Sequence, residues 1–250
     1  MIEIKNLSKK YDTHPVLSSL FLNIEKGKLV SIIGKNGSGK STLLKAAAGI
    51  IPHDSGEILI DGAPQSEIGR TESAKKISYL PQGRNTPDMS VYRLVLHGRF
   101  PHLGYPRRYT KKDREIAFSA MEKMGISELA DKNLSELSGG MRQNAYIAMA
   151  LAGEADYLFL DEPTTYLDVA HQIELIKNLS ELKRLGKGVA IVMHDLALAF
   201  SFSDKIAVLE GGKIAVLGTP RDVCESDIIK ELFGVRLVSS PDGKSYIYEY

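Results

Sequence analysis

Apolar residues near the start of the chain fall into short alternating or β-branched runs, a pattern typical of strands. Four such runs, separated by turn-forming residues, cover Ile2 to Leu7, Val16 to Ile24, Lys28 to Ile33 and Gly56 to Ile60. From Ser90 onward the apolar positions take up helical spacing, with charged residues between them. The pattern therefore predicts a β-rich beginning and a mostly helical middle third.

Strand-like and helix-like patterns alternate in the part of the chain that follows. Tyr157 to Leu160 and Val189 to Met193 are apolar runs short enough for buried strands. Val169 to Leu185 and Leu196 to Phe202 have helical spacing instead. Such alternation predicts a parallel sheet that is covered on both faces.

The C-terminal end is predicted to form two hairpins joined by a small helix. Strand-like runs at Ile206 to Glu210 and Lys213 to Leu217 flank two glycines that suit a hairpin turn. The last hairpin is predicted to turn at Pro241-Asp242-Gly243. Pro101 to Arg108, rich in proline, glycine and basic residues, is predicted to be a loop.

Composition places the chain among ordinary globular proteins without a basic surplus. Of its 250 residues 43% are apolar and 25% charged, with 32 basic against 31 acidic side chains, so bulk charge does not favour nucleic-acid binding. The single cysteine, Cys224, cannot form an internal disulfide, which fits a reducing compartment. No apolar run approaches the roughly 18 residues of a membrane span, and the start lacks a secretory segment. We therefore expect a cytoplasmic protein that does not itself cross a membrane.

A glycine-rich segment after the strand that ends at Ile33 carries the first chemical signal. It has the spacing of a P-loop, leads into a helical run and reads Gly34-Lys35-Asn36-Gly37-Ser38-Gly39-Lys40-Ser41-Thr42. Glycines let backbone N–H groups turn towards phosphate oxygens, and the helix presents its positive N-terminal end. Lys40 is expected to bind phosphate, and Ser41 to supply a hydroxyl to Mg²⁺. The segment therefore predicts a nucleotide site.

Two adjacent carboxylates end the apolar strand that starts at Tyr157. Asp161 is expected beside the P-loop, where it can orient Mg²⁺ through water. Glu162, one residue further, can reach a water in line with the terminal phosphorus and act as its base. These motifs alone do not distinguish among kinases, GTPases, helicases and motors.

A segment just before that strand resembles the signature motif of ATP-binding cassette (ABC) ATPases and reads Leu137-Ser138-Gly139-Gly140-Met141-Arg142-Gln143. The resemblance extends along nearly the whole chain, because further motifs follow in the order found in that family. In sequence order they are Tyr11, the P-loop, Gln82, the signature, Asp161-Glu162, Asp168 and His194. Ser138 and two glycines at the start of a helix form a second anion-binding end, so one chain carries two.

The resemblance implies a role for each of these positions. Tyr11 would stack on adenine, Gln82 would bind Mg²⁺ or the attacking water, and His194 would contact the terminal phosphate and Glu162. The implied catalytic residues are Lys40, Gln82, Glu162 and His194, and the implied Mg²⁺ ligands are Ser41, Gln82 and Asp161. The implied ATP-binding residues are Tyr11, Val16, Gly34, Asn36, Gly37, Ser38, Gly39, Lys40, Ser41, Thr42, Ser138, Gly139, Gly140 and Asp168.

The resemblance also implies an architecture. We expect one α/β domain over residues 1–250: a P-loop NTPase core with a mostly parallel sheet (1–85 and 155–250), an N-terminal antiparallel β subdomain and an inserted helical subdomain (86–154). With one P-loop and one signature per chain, two ATP molecules would be enclosed head-to-tail in a homodimer. A transmembrane permease would dock at the helical subdomain on the cytoplasmic face of the membrane, with a periplasmic or lipid-anchored substrate-binding protein acting indirectly and no nucleic acid involved.

Two positions depart from the pattern of the family. Met141 replaces the usual glutamine or glutamate of the signature, and Asn144 stands where an arginine is common. A thioether cannot make a strong hydrogen bond, so ATP-driven closure is expected to be weaker or to rely on other contacts. Hydrolysis is expected to survive both changes.

The segment Leu96 to Gly104 resembles one found in importer ATPases for iron siderophores, haem and cobalamin. Its basic and aromatic residues, with Arg107 and Arg108 beyond, suit a groove for a short permease helix. The resemblance therefore favours import of a metal chelate. Import of molybdate or tungstate stays open, as does a soluble ABC protein that acts on ribosomes or DNA. The signature disfavours a P-loop kinase.

Overall fold

A computed structural model describes residues 1–83, 86–165, 167–240 and 245–249. The strands in these residues are β1 (Ile2–Tyr11), β2 (His14–Ile24), β3 (Leu29–Ile33), β4 (Ser55–Ile60), β5 (Ala63–Pro64), β6 (Ile77–Leu80), β7 (Tyr157–Asp161), β8 (Gly188–Val192), β9 (Lys205–Glu210), β10 (Lys213–Gly218), β11 (Arg236–Ser239) and β12 (Tyr246–Glu249). The α-helices are α1 (Lys40–Ala47), α2 (Arg70–Lys76), α3 (Val91–His97), α4 (Lys111–Lys123), α5 (Gly139–Ala152), α6 (Val169–Arg184), α7 (Leu196–Phe202), α8 (Pro220–Glu225) and α9 (Ile228–Phe233).

The central sheet has the strand order β10-β9-β3-β8-β7-β6 and is parallel except for the hairpin of β9 and β10. All residues of β3, β7 and β8 are buried, as expected for strands covered on both faces. Val30 and Ile32 pack in the cluster that contains α1, whereas Leu29 and Ile33 belong to the cluster that contains α5 and α6. The predicted, mostly parallel sheet is confirmed.

The N-terminal sheet is antiparallel and has the strand order β2-β1-β4-β5. Ile2, Ile4 and Leu7 of β1 are buried, and Ile2 pairs with Ile24 on one side and Ile60 on the other. These side chains share one apolar cluster with α1. The antiparallel β part is therefore packed against the helix that follows the glycine-rich loop.

Helices α3, α4 and α5 pack against one another and lie between β6 and β7 in the chain. Thr110 and Asp113 form a capping box at the start of α4, in which the threonine hydroxyl accepts from the Asp113 N–H and the carboxylate accepts from the Thr110 N–H. Val91, Met121 and Ile147 fill the space between the three helices. None of the described helices is long and apolar enough to cross a bilayer.

The apolar pattern does not predict α2 and β6. Helix α2 is polar, with Ser73 as its buried residue, and β6 has only four residues. The predicted loop at 101–108 begins within a short 3-10 turn, Phe100–His102. Two short helices, α8 and α9, replace the single one predicted. The strands of the last predicted hairpin do pair, but its turn at 241–243 lies outside the described residues.

Candidate functional site

The carboxyl ends of β3, β7 and β8, three neighbouring parallel strands, meet at one edge of the central sheet. Ligands of open α/β sheets bind outside this edge. The glycine-rich loop follows β3, Asp161 ends β7, and His194 lies just beyond β8. Motifs that are far apart in the sequence are thus brought to one place.

The loop from Gly34 to Gly39 leads directly into α1. Gly39 has a φ of 103°, which favours glycine, and a Cβ added to it would lie 2.8 Å from the carbonyl oxygen of Val16. The hydroxyl of Ser38 is buried and has no hydrogen-bond partner within the described part of the chain. A helix N-terminus beside an unpaired buried hydroxyl fits a phosphate group.

Lys40, the first residue of α1, is only 5% exposed. Its ammonium donates hydrogen bonds to the carbonyl oxygens of Gly34, at 2.8 Å, and of Lys35, at 3.0 Å. Burial lowers the pKa of Lys40, and the nearby carboxylates of Glu162 and Asp161 oppose this effect. The site therefore holds a poorly hydrated cation that an anionic ligand would stabilise.

Asp161 is 1% exposed and is held by hydroxyls from two elements. Ser41 donates to its Oδ1 at 2.8 Å, and Tyr79 of β6 donates to its Oδ2 at 3.0 Å. Sequence reasoning assigned no role to Tyr79. The sequence gives little indication of this contact, because only the pairing of β6 with β7 shows that Tyr79 lies beside the carboxylate of Asp161.

Glu162 is held at both of its carboxylate oxygens. His194 Nε2 lies 2.7 Å from Oε1, and Gln82 Nε2 donates to Oε2. Thr165 Oγ1 lies further from Oε2, at 3.5 Å. Glu162 also has a φ of 50°, a conformation that residues other than glycine adopt mainly where the surroundings impose it. This arrangement fixes the direction in which the carboxylate can accept a proton.

Lys40, Glu162, Gln82 and His194 line one cleft of about 520 Å³. Its lining consists of Tyr11, Val16, Asn36, Gly37, Gly39, Lys40, Ser41, Thr42, Gln82, Glu162 and His194. The cleft thus brings together most of the residues predicted for nucleotide binding and catalysis. Tyr11 is half exposed at its rim, where a planar ligand can stack on it. Ser138, Gly139, Gly140 and Asp168 are not among the described residues that line the cleft.

The signature residues lie at the start of α5. Ser138 precedes the helix and is exposed, and its hydroxyl accepts from the Met141 N–H at 3.3 Å. Asp168 caps α6 in the same way by accepting from the His171 N–H at 2.9 Å, and its carboxylate also lies 2.7 Å from His171 Nδ1. The backbone and side-chain hydrogen bonds from His171 lower the pKa of Asp168. Sequence reasoning gave His171 no role.

Residues 17–165 match the ABC transporter family. The chain belongs to this family. The ABC ATPase is 40% identical over 239 residues to the petrobactin import ATP-binding protein YclP of Bacillus subtilis (strain 168). This alignment covers 95% of this chain and 94% of YclP. The chain is also 39% identical over 240 residues to the ferric enterobactin transport ATP-binding protein FepC of Escherichia coli (strain K12), in an alignment that covers 95% of this chain and 89% of FepC.

Solved structures share the fold of this ABC ATPase. A transporter assigned to the metal-chelate type, in an inward-facing conformation, matches with a TM-score of 0.84 and 26% identity over 100% of this chain and 97% of that chain. A dimeric cassette bound to ADP and Pi matches with a TM-score of 0.76 and 28% identity. This match covers 88% of this chain and 99% of that chain. The predicted family, fold class and ATPase activity are confirmed.

The two departures of the ABC ATPase from the family pattern lie on α5. Met141 is half exposed, whereas Asn144 donates to Glu174 of α6 at 3.4 Å. Asn144 therefore joins α5 to α6. A glutamine at position 141 would add a strong hydrogen-bonding group, whereas the thioether of Met141 is only a weak acceptor.

The segment Leu96 to Gly104 is only partly available to a partner. Arg99 is 5% exposed and donates to Asp113 Oδ1 at 3.0 Å and to Glu154 Oε2 at 2.7 Å. The expectation that its basic residues line a groove is therefore wrong for Arg99, whose charge is neutralised inside the helical part. Phe100 remains half exposed, with the guanidinium of Arg107 4.4 Å from its ring centre.

Proposed function

We propose that this ABC ATPase hydrolyses ATP to power the import of a metal chelate through a separate permease. The observation that carries the catalytic part is the oriented carboxylate of Glu162, in one cleft with Lys40 and Ser41. The cargo is supported by relatives named for the import or transport of petrobactin, ferric enterobactin and iron(3+)-hydroxamate. The transporter of metal-chelate type has the same fold.

Nucleotide binding follows from the contents of the cleft. The adenine would stack on Tyr11, while the backbone N–H groups of the loop and of the α1 start would surround the β- and γ-phosphates. Lys40 would exchange its carbonyl partners for phosphate oxygens. Because its ammonium is buried, this exchange gains a stronger, charge-assisted hydrogen bond.

The oxygen atoms near Asp161 suit Mg²⁺. Ligands 2.0–2.1 Å from an octahedral Mg²⁺ lie about 2.9 Å from one another in adjacent positions, and Ser41 Oγ lies 2.8 Å from Asp161 Oδ1. Ser41, Asp161 and the amide oxygen of Gln82 would hold the ion, directly or through water. When bound, Mg²⁺ neutralises charge that develops on the phosphate oxygens.

Glu162 would accept the proton of the attacking water. Its two carboxylate oxygens are oriented by Gln82 and His194, so the remaining lone pairs have a fixed direction. Lys40 and the loop amides would stabilise the negative charge that shifts onto the leaving group. Catalysis in this site is thus positioning together with charge stabilisation.

A homodimer would complete each site. Ser138 is exposed at the N-terminus of the 14-residue helix α5, and neither it nor Asp168 lines the cleft of its own chain. Helix N-termini bind anions, so the start of α5 would contact the terminal phosphate bound by a second copy. The dimeric cassette with ADP and Pi supports this arrangement. Loss of the γ-phosphate would let the copies separate.

A permease helix would dock beside the helical subdomain rather than on it, in the apolar groove between the end of α1 and helix α2. This groove of about 600 Å³ is lined by Ile50, Ile51, Ile68 and Tyr79 among others, and Ile50 is half exposed. Helix α2 also contacts the 3-10 turn that contains Phe100, which places the exposed part of the 96–104 segment beside the groove. The protein would thus be a peripheral subunit on the cytoplasmic face of the membrane.

The test is ATP hydrolysis by the permease-bound protein. Glu162→Gln is expected to lower kcat at least about 100-fold, because the base is removed, while ATP binding remains. Uptake into vesicles is then measured with ferric siderophores, haem, cobalamin and molybdate as cargo. Transport of molybdate alone would contradict the assignment of a metal chelate as cargo. Wild-type protein without ATPase activity would contradict the proposal that this chain hydrolyses ATP.

A further inference from the structure

The imidazole of His171 lies between the start of α5 and the segment that carries Asp168. Its Nδ1 is 2.7 Å from Asp168 Oδ1, which also accepts from the His171 N–H. The other side of the ring faces Gly140, where an added Cβ would lie 1.9 Å from Cδ2 and 2.6 Å from Nε2. One ring thus contacts both segments that the homodimer would present to a second copy.

This contact gives a steric reason for glycine at position 140. Gly140 lies in the first turn of α5 and is not among the glycines with positive φ. Its backbone would therefore accept other residues. Carbon atoms pack at about 3.5–4.0 Å, so the ring of His171 leaves no room for a side chain.

Two further contacts fasten the start of α6. Asn144 of α5 donates to Glu174, one turn further along both helices, at 3.4 Å. Gln172 Nε2 donates to the carbonyl oxygen of Leu167 at 3.0 Å, in the segment just before Asp168. The ring of His171 therefore belongs to a patch in which α5, α6 and the preceding segment are joined.

We propose that His171 is a positioning residue that fixes Asp168 relative to the start of α5, so that both reach a second copy of this chain as one rigid unit. This inference rests on the homodimer proposed above. Removal of the ring lets the two segments move separately, so ATP-driven association weakens. ATP binding in the cleft of the single chain stays unchanged, because His171 does not line it.

The experiment measures ATP-driven dimerisation of Glu162→Gln chains by light scattering with Mg²⁺ and ATP. Gly140→Ala is expected to weaken dimerisation about tenfold, because its methyl group displaces the ring. His171→Ala is expected to weaken it about threefold. The double variant Gly140→Ala/His171→Ala returns to the level of His171→Ala, because the methyl group then has room.

Two variants serve as matched controls. His171→Asn places an amide near the position of Nδ1 and is expected to stay within about twofold of the parent. Gly69→Ala adds a Cβ that meets nothing within 4 Å and is expected to have no effect. ATP affinity of the single chain, measured with a fluorescent analogue, stays constant throughout the series.

A double variant as weak as Gly140→Ala alone would overturn the inference, because Gly140 would then be needed for another reason. So would a His171→Ala chain that dimerises like the parent. A parent that stays monomeric with ATP contradicts the homodimer instead. In that case hydrogen exchange of the single chain tests whether the ring of His171 links the two segments. His171→Ala is then expected to raise amide exchange at the starts of both α5 and α6. Unchanged exchange at the start of α5 would show that the ring does not link it to α6.

Discussion

The carboxylate of Glu162 shows how one residue can be prepared for its reaction by its neighbours. Its backbone has a positive φ, one of its oxygens accepts a hydrogen bond from Gln82, and the other lies 2.7 Å from Nε2 of His194. The two partners come from different segments, one after β6 and one after β8. A shift of either segment therefore changes the orientation of the base.

At this scale we predict that His194→Ala lowers kcat about 100-fold with little change in the KM for ATP, because it removes the partner of Glu162 Oε1. Steady-state ATPase kinetics of the permease-bound protein measure this effect. Thr165→Ala is the matched control, since Thr165 lies 3.5 Å from the other oxygen and is expected to matter less than threefold. Equal losses in the two variants would contradict the role of His194.

At the scale of elements, Arg99 and Asp113 join three pieces of the helical part. Both side chains are nearly buried, and Arg99 also donates to the carbonyl oxygen of Ala152 at the end of α5. Burial raises the pKa of Asp113, but hydrogen bonds from Thr110 and Arg99 outweigh it and lower the pKa to about 2. The ion pair thus links the start of α4 to the end of α5 and to the turn after α3.

We predict that Asp113→Asn lowers the free energy of unfolding by about 3 kcal/mol, because it leaves the buried guanidinium without its main partner. Urea denaturation measures this. The contribution of Asp113 is complete above pH 4 and is lost as the pH falls towards 2, so the two proteins converge in that window. Glu154→Gln, which changes an exposed partner, should cost less than about 1 kcal/mol. An equal loss in both variants would contradict the prediction.

The elements and the cleft could largely be predicted from the sequence, because the motifs are local. The P-loop reads as strand, glycines and helix start, and Asp161 and His194 each follow an apolar strand. Contacts between distant elements could not be read in this way. From the sequence alone Arg99 is expected at the surface, and only the structure shows that it pairs with Asp113. Likewise, only the approach of α6 to Gly140 indicates a role for His171.

At the scale of the whole molecule, charged groups join the two sheets at the edge opposite the cleft. Asp61, which follows β4, accepts from the hydroxyl of Tyr157 at the start of β7 at 2.6 Å. Lys76 lies 3.4 Å from the same carboxylate, and Lys26 pairs with Asp156 at 2.8 Å. Burial raises the pKa of Asp61, but its hydrogen bonds outweigh this and hold the pKa well below its usual range.

We predict that Tyr157→Phe lowers the free energy of unfolding by about 2 kcal/mol, because the charged carboxylate of Asp61 loses the hydrogen bond that the Tyr157 hydroxyl donates to it. The KM for ATP is expected to stay unchanged, since the proposed nucleotide cleft lies at the other edge of the sheet. Thermal and urea denaturation together with ATPase kinetics test both statements. Tyr105→Phe, at a fully exposed position, is the control and should leave stability unchanged.

The placement of Ser138 outside the cleft of its own chain has a genetic consequence. Chains with Lys40→Ala and chains with Ser138→Asp, which keeps the helix cap, are each expected to be inactive. In a mixed pair one site carries both defects and the other carries none. Random pairing makes about half of the dimers mixed, so co-expression leaves about a quarter of all sites intact. Such complementation, measured as ATPase activity, would be absent if each chain hydrolysed ATP alone.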